Sequence, residues 1–243
     1  MFLMKMNMVE EWRRRIREAG SEKKARVLRR FFKTGPGEYG EGDKFVGVPV
    51  PVVRAISLPY SNLPLEKIGE MMRSEIHEFR LAGLLALVQR YKKEKGIEGK
   101  EAVVLFYLSV ADRINNWDLV DLSAPKILGE HVARHPEWGH ILYELAESGD
   151  LWRERIAMVS NWTIMRHGVF EHTIALADRF MTHPHQLMHK ATGWMLREMG
   201  KRRRELLTDY LEENAAIMPR TMLRYAIEKL SKEERGRYLG IKN

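Results

Sequence analysis

The sequence of 243 residues predicts an all-α fold, and three observations support this prediction. Apolar residues recur every three or four positions through most of the chain, as they do on one face of a helix. Helix-ending residues separate these segments, as in "HPEW" from residue 135 and "THPH" from residue 182. No useful length of chain alternates like a strand. The nearest candidate, "FVGVPVPVV" at 45–53, contains two prolines and is expected to be a loop that enters a helix.

The helical pattern can be followed segment by segment. Residues 64–94 hold two helices that divide near Ser74. The later segments with helical spacing are 100–111, 116–131, 137–148, 151–166, 170–181, 185–199 and 203–213. In the segment 116–131 the apolar stripe is expected to contain Trp117, Val120, Ala124, Ile127 and Leu128.

A small residue recurs in the longer helices at a spacing that indicates repeats. The spacings are 75, 34 and 35 residues, or about two periods, one and one, between Ala82, Ala157, Ala191 and Ala226. A recurring helix pair of this length is typical of a HEAT-like α-solenoid. A globular helical bundle is the alternative. No linker rich in Pro, Gly or Ser divides the chain, so we expect one domain over residues 1–243.

Composition narrows the class of protein and of partner. The net charge of +8 favours a polyanion such as DNA, RNA or an anionic membrane surface. No apolar run approaches the roughly 20 residues of a membrane span, and the start "MFLMKMNMVEEWRRR" does not resemble a signal peptide. Cysteine is absent, which excludes disulfides and thiolate metal sites. We expect a cytoplasmic protein, and we do not expect a membrane among its partners.

The glycine-rich segment "TGPGEYGEGDK" at 34–44 is expected to be a flexible surface loop. It lacks the Lys-Ser/Thr ending of a phosphate-binding P-loop. Its acidic residues Glu38, Glu41 and Asp43 would repel a phosphate.

An indole and a carboxylate are predicted to share one face of a helix. Trp117 and Asp121 lie four residues apart, and Asp121 stands where a leucine would suit the apolar stripe. The alternative for an acidic residue here is a favourable interaction with the helix dipole near a helix start. Asp118 fits that alternative better than Asp121, because Asp121 lies about one turn too deep.

Two further helices carry tryptophan with basic residues. In "LWRERIAMVSNW", Arg155 shares a face with Trp152 and Trp162, and the alternative is a solvated arginine whose stem covers an indole. In "HKATGWMLREMGKRRR", Trp194 is ringed by cations, a pattern that suits nucleic acid. The alternative is a basic helix end stabilised by the dipole. The cations of this face are Lys190, Arg197 and Lys201.

The spacing of these residues predicts that they meet. Asp121 and Arg155 are 34 residues apart, and Arg155 and Trp194 are 39 apart. Both distances match the repeat period, so the three residues would come from equivalent helices and line one inner surface.

Other chemistry is less well supported. His131 with His135, and His185 with His189, have a spacing that a metal ion could use. Neither pair has an obvious third ligand, and no convincing nucleophile and base pair is present. We expect no metal site.

Three segments, "NNWDLVD", "LWRERIAMV" and "KATGWMLREMGK", resemble the AlkD-type DNA glycosylases of the DNA alkylation repair family. The resemblance extends from near residue 30 to "MPRTMLRYAIEKL" near residue 230 and so covers most of the chain. It implies a HEAT-like superhelix whose concave basic groove holds duplex DNA.

The resemblance also implies an activity, namely hydrolytic excision of cationic N3- and N7-alkylated purines that leaves an abasic site. In this family, residues matching Trp117 and Trp194 pack against the lesion deoxyribose, Asp121 matches the catalytic carboxylate, and Arg155 matches an arginine that contacts phosphate. A monomer without cofactors is expected, with double-stranded DNA containing alkylated bases as its partner.

The chain departs from the best-known family pattern at two positions. Asn116 stands where a second tryptophan is found, and Phe31 stands at the position of a tyrosine. These changes affect the expected shape of the groove but not the catalytic set. The remaining alternatives are a non-catalytic protein that binds damaged or distorted DNA and an α-solenoid scaffold for a protein partner. The basic face argues against the scaffold.

Overall fold

The computed structural model describes residues 2–241, and the side chains of residues 8–241. Within this range the secondary structure is helical, and the β-type pairing is an isolated bridge between Lys44 and Ile76. The prediction of an all-α fold is confirmed. None of the helices described has the length and apolar character needed to cross a membrane.

The chain forms two compact units, residues 1–123 and residues 124–243. The expectation of one domain over 1–243 stays a prediction. The helices of the first unit are α1 Phe2–Glu18, α2 Glu22–Phe31, α3 Val50–Ser57, α4 Leu65–Met72, α5 His77–Lys93, α6 Ile97–Ser109 and α7 Trp117–Ser123. Those of the second are α8 Leu128–Arg134, α9 His140–Ala146, α10 Leu151–Ile164, α11 Glu171–Arg179, α12 Gln186–Gly200, α13 Arg204–Asn214, α14 Arg220–Ala226 and α15 Lys232–Gly240.

The division near Ser74 is confirmed, because α4 ends at Met72 and α5 begins at His77. The single helix predicted over 116–131 is wrong. A 3-10 turn at Ala124–Lys126 separates α7 from α8. Pro125 explains the break, because its ring would clash with the carbonyl group four residues earlier and it has no N–H to donate.

In the first unit, α5 is the central helix and is buried on nearly all sides from His77 to Leu87. It packs against α3, α4, α6 and α7. The segment 45–49 is a loop that leads into α3, as the two prolines predicted. Gly47 has a φ of 83° in this loop, and a Cβ there would lie 2.1 Å from the carbonyl oxygen of Ser21. Glycine therefore allows both the turn and the close approach of the two backbones.

In the second unit, α10 and α12 are the two helices around which the others pack. The central helix α10 contacts α8, α9 and α12, and α12 in turn contacts α11, α13 and α14. Glycines permit the closest crossings: a Cβ at Gly129 would lie 2.3 Å from the carbonyl oxygen of Ser160, and a Cβ at Gly193 would lie 2.3 Å from that of Met222. This order within the unit is the one expected for stacked helix pairs.

The alanines that indicated the repeats all lie inside their helical packing. Their exposed fractions are at most 1% for Ala82, Ala157, Ala191 and Ala226. A small buried residue allows neighbouring helices to approach closely, so these positions fit the periodic pattern that predicted them.

Candidate functional site

Helix α7 carries the predicted pair of indole and carboxylate. Trp117 is its first residue and Asp121 follows one turn later, so the prediction that the two lie on one helix is confirmed, although the helix is shorter than predicted. The buried side chain of Asn116 precedes them, and its amide oxygen accepts a hydrogen bond from the backbone N–H of Trp117 at 2.9 Å. Asn116 therefore fixes the start of the helix locally.

Aromatic packing holds the half-buried indole of Trp117. The ring centroid lies 5.4 Å from that of Phe32, and 5.9 Å from that of Phe31 in an edge-on arrangement. Phe32 belongs to a small core with Ala25 and Phe45. Phe31, in contrast, leaves 59% of its surface exposed. Trp117 thus packs against the buried ring of Phe32 and contacts the exposed ring of Phe31.

Asp121 is partly exposed and lies in the last turn of α7. The dipole of a helix disfavours a negative charge near its C-terminal end, so the local helix gives no reason for a carboxylate here. Burial raises the pKa of Tyr107, and the negative charge of Asp121 raises it further. The Tyr107 hydroxyl and the Ser123 hydroxyl are hydrogen-bonded at 3.0 Å. Asp121 therefore projects a negative charge beside a neutral phenol.

Asp118 has a partner that its sequence position did not reveal. It lies in the first turn of α7, as the dipole argument expected. Its carboxylate also lies 2.9 Å from Nε2 of His77, the first residue of α5. Asp118 therefore links α7 to α5, in addition to its favourable interaction with the dipole of its own helix.

Arg155 lies inside the second unit. Only 4% of its surface is exposed, so the alternative of a solvated arginine is wrong. Its guanidinium donates a hydrogen bond of 2.7 Å to the carbonyl oxygen of Leu187, in the first turn of α12. Arg155 thus ties α10 to the helix that carries Trp194. Its contact with a DNA phosphate stays a prediction.

Histidines complete the junction of α10 with α12. His183 bonds to the carboxylate of Glu154 at 2.8 Å, and His189 bonds to the carbonyl oxygen of His183 at 2.6 Å. Nδ1 of His185 accepts the backbone N–H of Leu187 at 3.1 Å and caps α12. Burial lowers the pKa of His185, and the nearby positive groups, among them Arg155, lower it further. A neutral imidazole is therefore the form that caps this helix.

The cations around Trp194 differ in whether a carboxylate pairs with them. Arg197 pairs with Glu228, and Lys201 lies 2.6 Å from the buried Glu198. Lys190 has no carboxylate partner among the side chains of residues 8–241. The half-buried Trp194 therefore lies on a face whose positive charge is partly neutralised by acidic residues.

The histidine pairs with metal-like spacing have other neighbours. The rings of His131 and His135 lie 4.8 Å apart at their centroids, and His131 meets Trp138 edge-on. His185 and His189 bond to backbone groups. Among the residues described, no group of three or more His, Asp or Glu side chains is arranged to hold a metal ion.

The structure thus brings together Trp117 and Asp121 in the first unit, and Arg155 and the start of α12 in the second. The expectation that Asp121, Arg155 and Trp194 line one surface stays a prediction. The main site feature missed from the sequence is the contact of Asp118 with His77.

Together, these features describe an all-α protein that carries an indole and a carboxylate on one short helix, and basic residues around a second indole. The family model described as "DNA alkylation repair enzyme" matches residues 12–230. The chain belongs to this family.

A solved structure has a similar fold. It is described as "Predicted DNA alkylation repair enzyme from Enterococcus faecalis" and matches with a TM-score of 0.70 and 19% sequence identity. The match covers 88% of this chain and 97% of the other. No curated protein sequence matches the chain.

Proposed function

We propose that the protein is a monofunctional DNA glycosylase that hydrolyses the glycosidic bond of cationic N3- and N7-alkylated purines in duplex DNA. Membership of the DNA alkylation repair enzyme family supports this proposal. The observation that carries it is the position of Asp121, a carboxylate in the last turn of α7, one turn from the half-buried Trp117. A fixed carboxylate one turn from an indole is the arrangement that the proposed chemistry uses.

The chemistry needs a negative charge rather than a strong acid. The purine already carries a positive charge, so when the bond from C1′ to N9 breaks, its electron pair neutralises the departing base. The sugar becomes an oxocarbenium-like cation, and a fixed carboxylate stabilises that charge. Water adds to C1′ and releases one proton. The products are an abasic site, a neutral alkylpurine and a proton.

The aromatic and basic residues have complementary roles in this proposal. Trp117 and Trp194 present negative π faces to the sugar cation and pack against the lesion deoxyribose. Arg155 contacts a phosphate. Contacts with the DNA backbone come from Lys190, Arg197 and Lys201.

The test is release of N7-methylguanine from methylated duplex DNA by wild type and Asp121→Asn under single-turnover conditions. We expect a loss on the order of 10²–10³-fold in rate with duplex affinity retained, since loss of one electrostatic stabiliser costs about this much. Asp112→Asn is the matched control, because it removes the same charge from an exposed position of the same unit. An unchanged rate in Asp121→Asn would refute the role of Asp121.

The same assay separates the proposed enzyme from a non-catalytic DNA-binding protein, which would bind duplex tightly and form no abasic sites. Salt dependence tests the basic face. If Lys190 contacts a phosphate, Lys190→Gln lowers the slope of log affinity against log salt by about 0.9. Arg197→Gln should change the slope less, because Glu228 already pairs with Arg197. Equal slopes in wild type and Lys190→Gln would exclude that contact.

A further inference from the structure

A buried ionic network lies beneath the helix of Trp117 and Asp121. In the sequence, His77 lies 34 residues from Asp43 and 41 residues from Asp118. The side chains of the network are at most 16% exposed. They come from the loop before α3, from α5 and from α7, and they are Asp43, His77, Arg80 and Asp118.

The hydrogen bonds define the charge of His77. Its Nδ1 lies 3.0 Å from a carboxylate oxygen of Asp43, and its Nε2 lies 2.9 Å from one of Asp118. A carboxylate only accepts hydrogen bonds, and a neutral imidazole carries only one N–H. With both carboxyl groups ionised, the two bonds require the imidazolium, which donates from both nitrogens.

Charge balance leads to the same assignment. Arg80 is 1% exposed and donates to Asp43. With His77 protonated, two positive groups face two carboxylates; with His77 neutral, one negative charge would be buried without compensation, which is costly. Burial alone lowers the pKa of His77, but the charge and hydrogen bond of Asp118 and the hydrogen bond of Asp43 raise it to about 9.

Other charged groups at the network have partners of their own. Arg113 repels Arg80 and donates to the carbonyl oxygen of Ser74 at 3.2 Å. Lys44 and Glu75 form an exposed pair at 2.6 Å. Glu78, the next residue of α5, accepts the backbone N–H groups of the loop at residues 46–48.

Side-chain contacts connect the network to Trp117. The His77 ring packs against two phenylalanines, with centroid distances of 4.6 Å to Phe45 and 5.0 Å to Phe32, and those two rings stack on each other at 5.3 Å. Phe32 packs directly against Trp117. Asp118, the other neighbour of His77, follows Trp117 in the chain and precedes Asp121 by less than one turn. His77 thus contacts Phe32, which packs against the indole, and the side chain of Asp118, which belongs to the first turn of α7.

We propose that His77 is a positioning residue: as an imidazolium between Asp43 and Asp118, it fixes the first turn of α7 and thereby the placement of Trp117 and Asp121. This inference rests on the proposed function for its catalytic consequence. It assigns His77 no contact with the DNA.

The first experiment is a pH profile of the single-turnover rate, corrected at each pH for base loss without enzyme. Wild type should be constant from pH 7 to 8 and lose activity through a midpoint near 9. Asp118→Asn removes one of the two carboxylates that hold the proton, so its midpoint should fall by about one pH unit or more. The readout is the position of the midpoint, whatever the plateau rate.

Two variants separate positioning from a loss of stability. His77→Gln should lower the rate on the order of 10²-fold at pH 7.5, as misplacement of a reacting group does. Ile68→Ala, which removes a buried side chain of α4 in the same unit, should lower the melting temperature without lowering the rate below that temperature. If Ile68→Ala loses as much rate as His77→Gln, or if the midpoint is the same in Asp118→Asn, the proposal is overturned.

A second measurement does not depend on catalysis. In protein with ¹⁵N-labelled histidine, the resonances that disappear in His77→Gln should show a doubly protonated ring at pH 8. The backbone amides of Trp117 and Asp121 should shift with the same midpoint. A His77 ring that titrates near 6.5 overturns the positioning proposal. Absence of base release by wild type, with these NMR results as expected, overturns only the proposed function.

Discussion

Each of the two units has a helix that carries one tryptophan of the predicted site, Trp117 in α7 and Trp194 in α12. A histidine holds the start of each helix, and the two histidines differ in protonation state. In the first unit, His77 faces two carboxylates and bonds to α7 through Asp118. In the second, Nδ1 of His185 accepts the N–H of Leu187 at the start of α12. A donor of two hydrogen bonds must be charged, whereas an acceptor must be neutral there.

This difference gives the two junctions opposite responses to pH. The pKa of His77 is raised from 6.5 to about 9, so its contribution to stability is fully present below 6.5 and is lost as the pH rises through 9. The pKa of His185 is lowered from 6.5, so its contribution is present above 6.5 and is lost as the pH falls through the lowered value. In the folded protein, each histidine therefore makes the hydrogen bonds described for its own helix between about pH 6.5 and 9.

The largest expected effect tests the buried charges of the first unit. Arg80→Ala leaves Asp43 with less compensation in a site where Arg80 is 1% exposed. We expect the free energy of unfolding to fall by about 3–5 kcal/mol in urea titrations at pH 7. The control is Arg134→Ala, which removes an exposed pair with Glu130 and should cost less than about 1 kcal/mol. Similar losses of unfolding free energy in Arg80→Ala and Arg134→Ala would contradict the importance assigned to the buried charges of the first unit.

The next prediction concerns the hydrogen bond from Arg155 to the backbone of α12 in the second unit. Arg155→Ala removes the donor to the Leu187 carbonyl, and we expect a loss of about 1–3 kcal/mol in the same titration. Arg153→Ala is the matched control, because this side chain belongs to the same helix and is partly exposed. A loss equal to that of Arg80→Ala would show that the two junctions are energetically alike.

Much of the fold follows from local patterns. Apolar spacing and helix-ending residues predict the class and the position of helices such as α10 and α12, because both effects act over a few residues. The break between α7 and α8 was missed, although Pro125 stood in the sequence. The apolar stripe continues across Pro125, so apolar spacing alone predicts one helix, although a proline has no N–H to donate within it.

The site was predictable where it is local. A spacing of four residues placed Trp117 and Asp121 on one helix. The partner of Asp118 was not predictable, because His77 lies 41 residues away and the contact depends on how α5 packs against α7. The burial of Arg155 likewise depends on a neighbouring helix, since its acceptor is the Leu187 carbonyl.

The smallest expected effect isolates the neutral histidine. His185→Ala removes the cap of α12 and should cost about 0.5–1 kcal/mol at pH 7.5, the low end for a helix cap. The cost should shrink as the pH falls well below 6.5, because wild type then protonates Nδ1 and loses the same hydrogen bond. Melting temperatures of the two proteins between pH 5 and 8 measure this, with exposed His167→Ala as the control. A difference that stays constant over this range would mean that His185 acts by packing, and the opposite protonation of the two junctions would then no longer account for their stability.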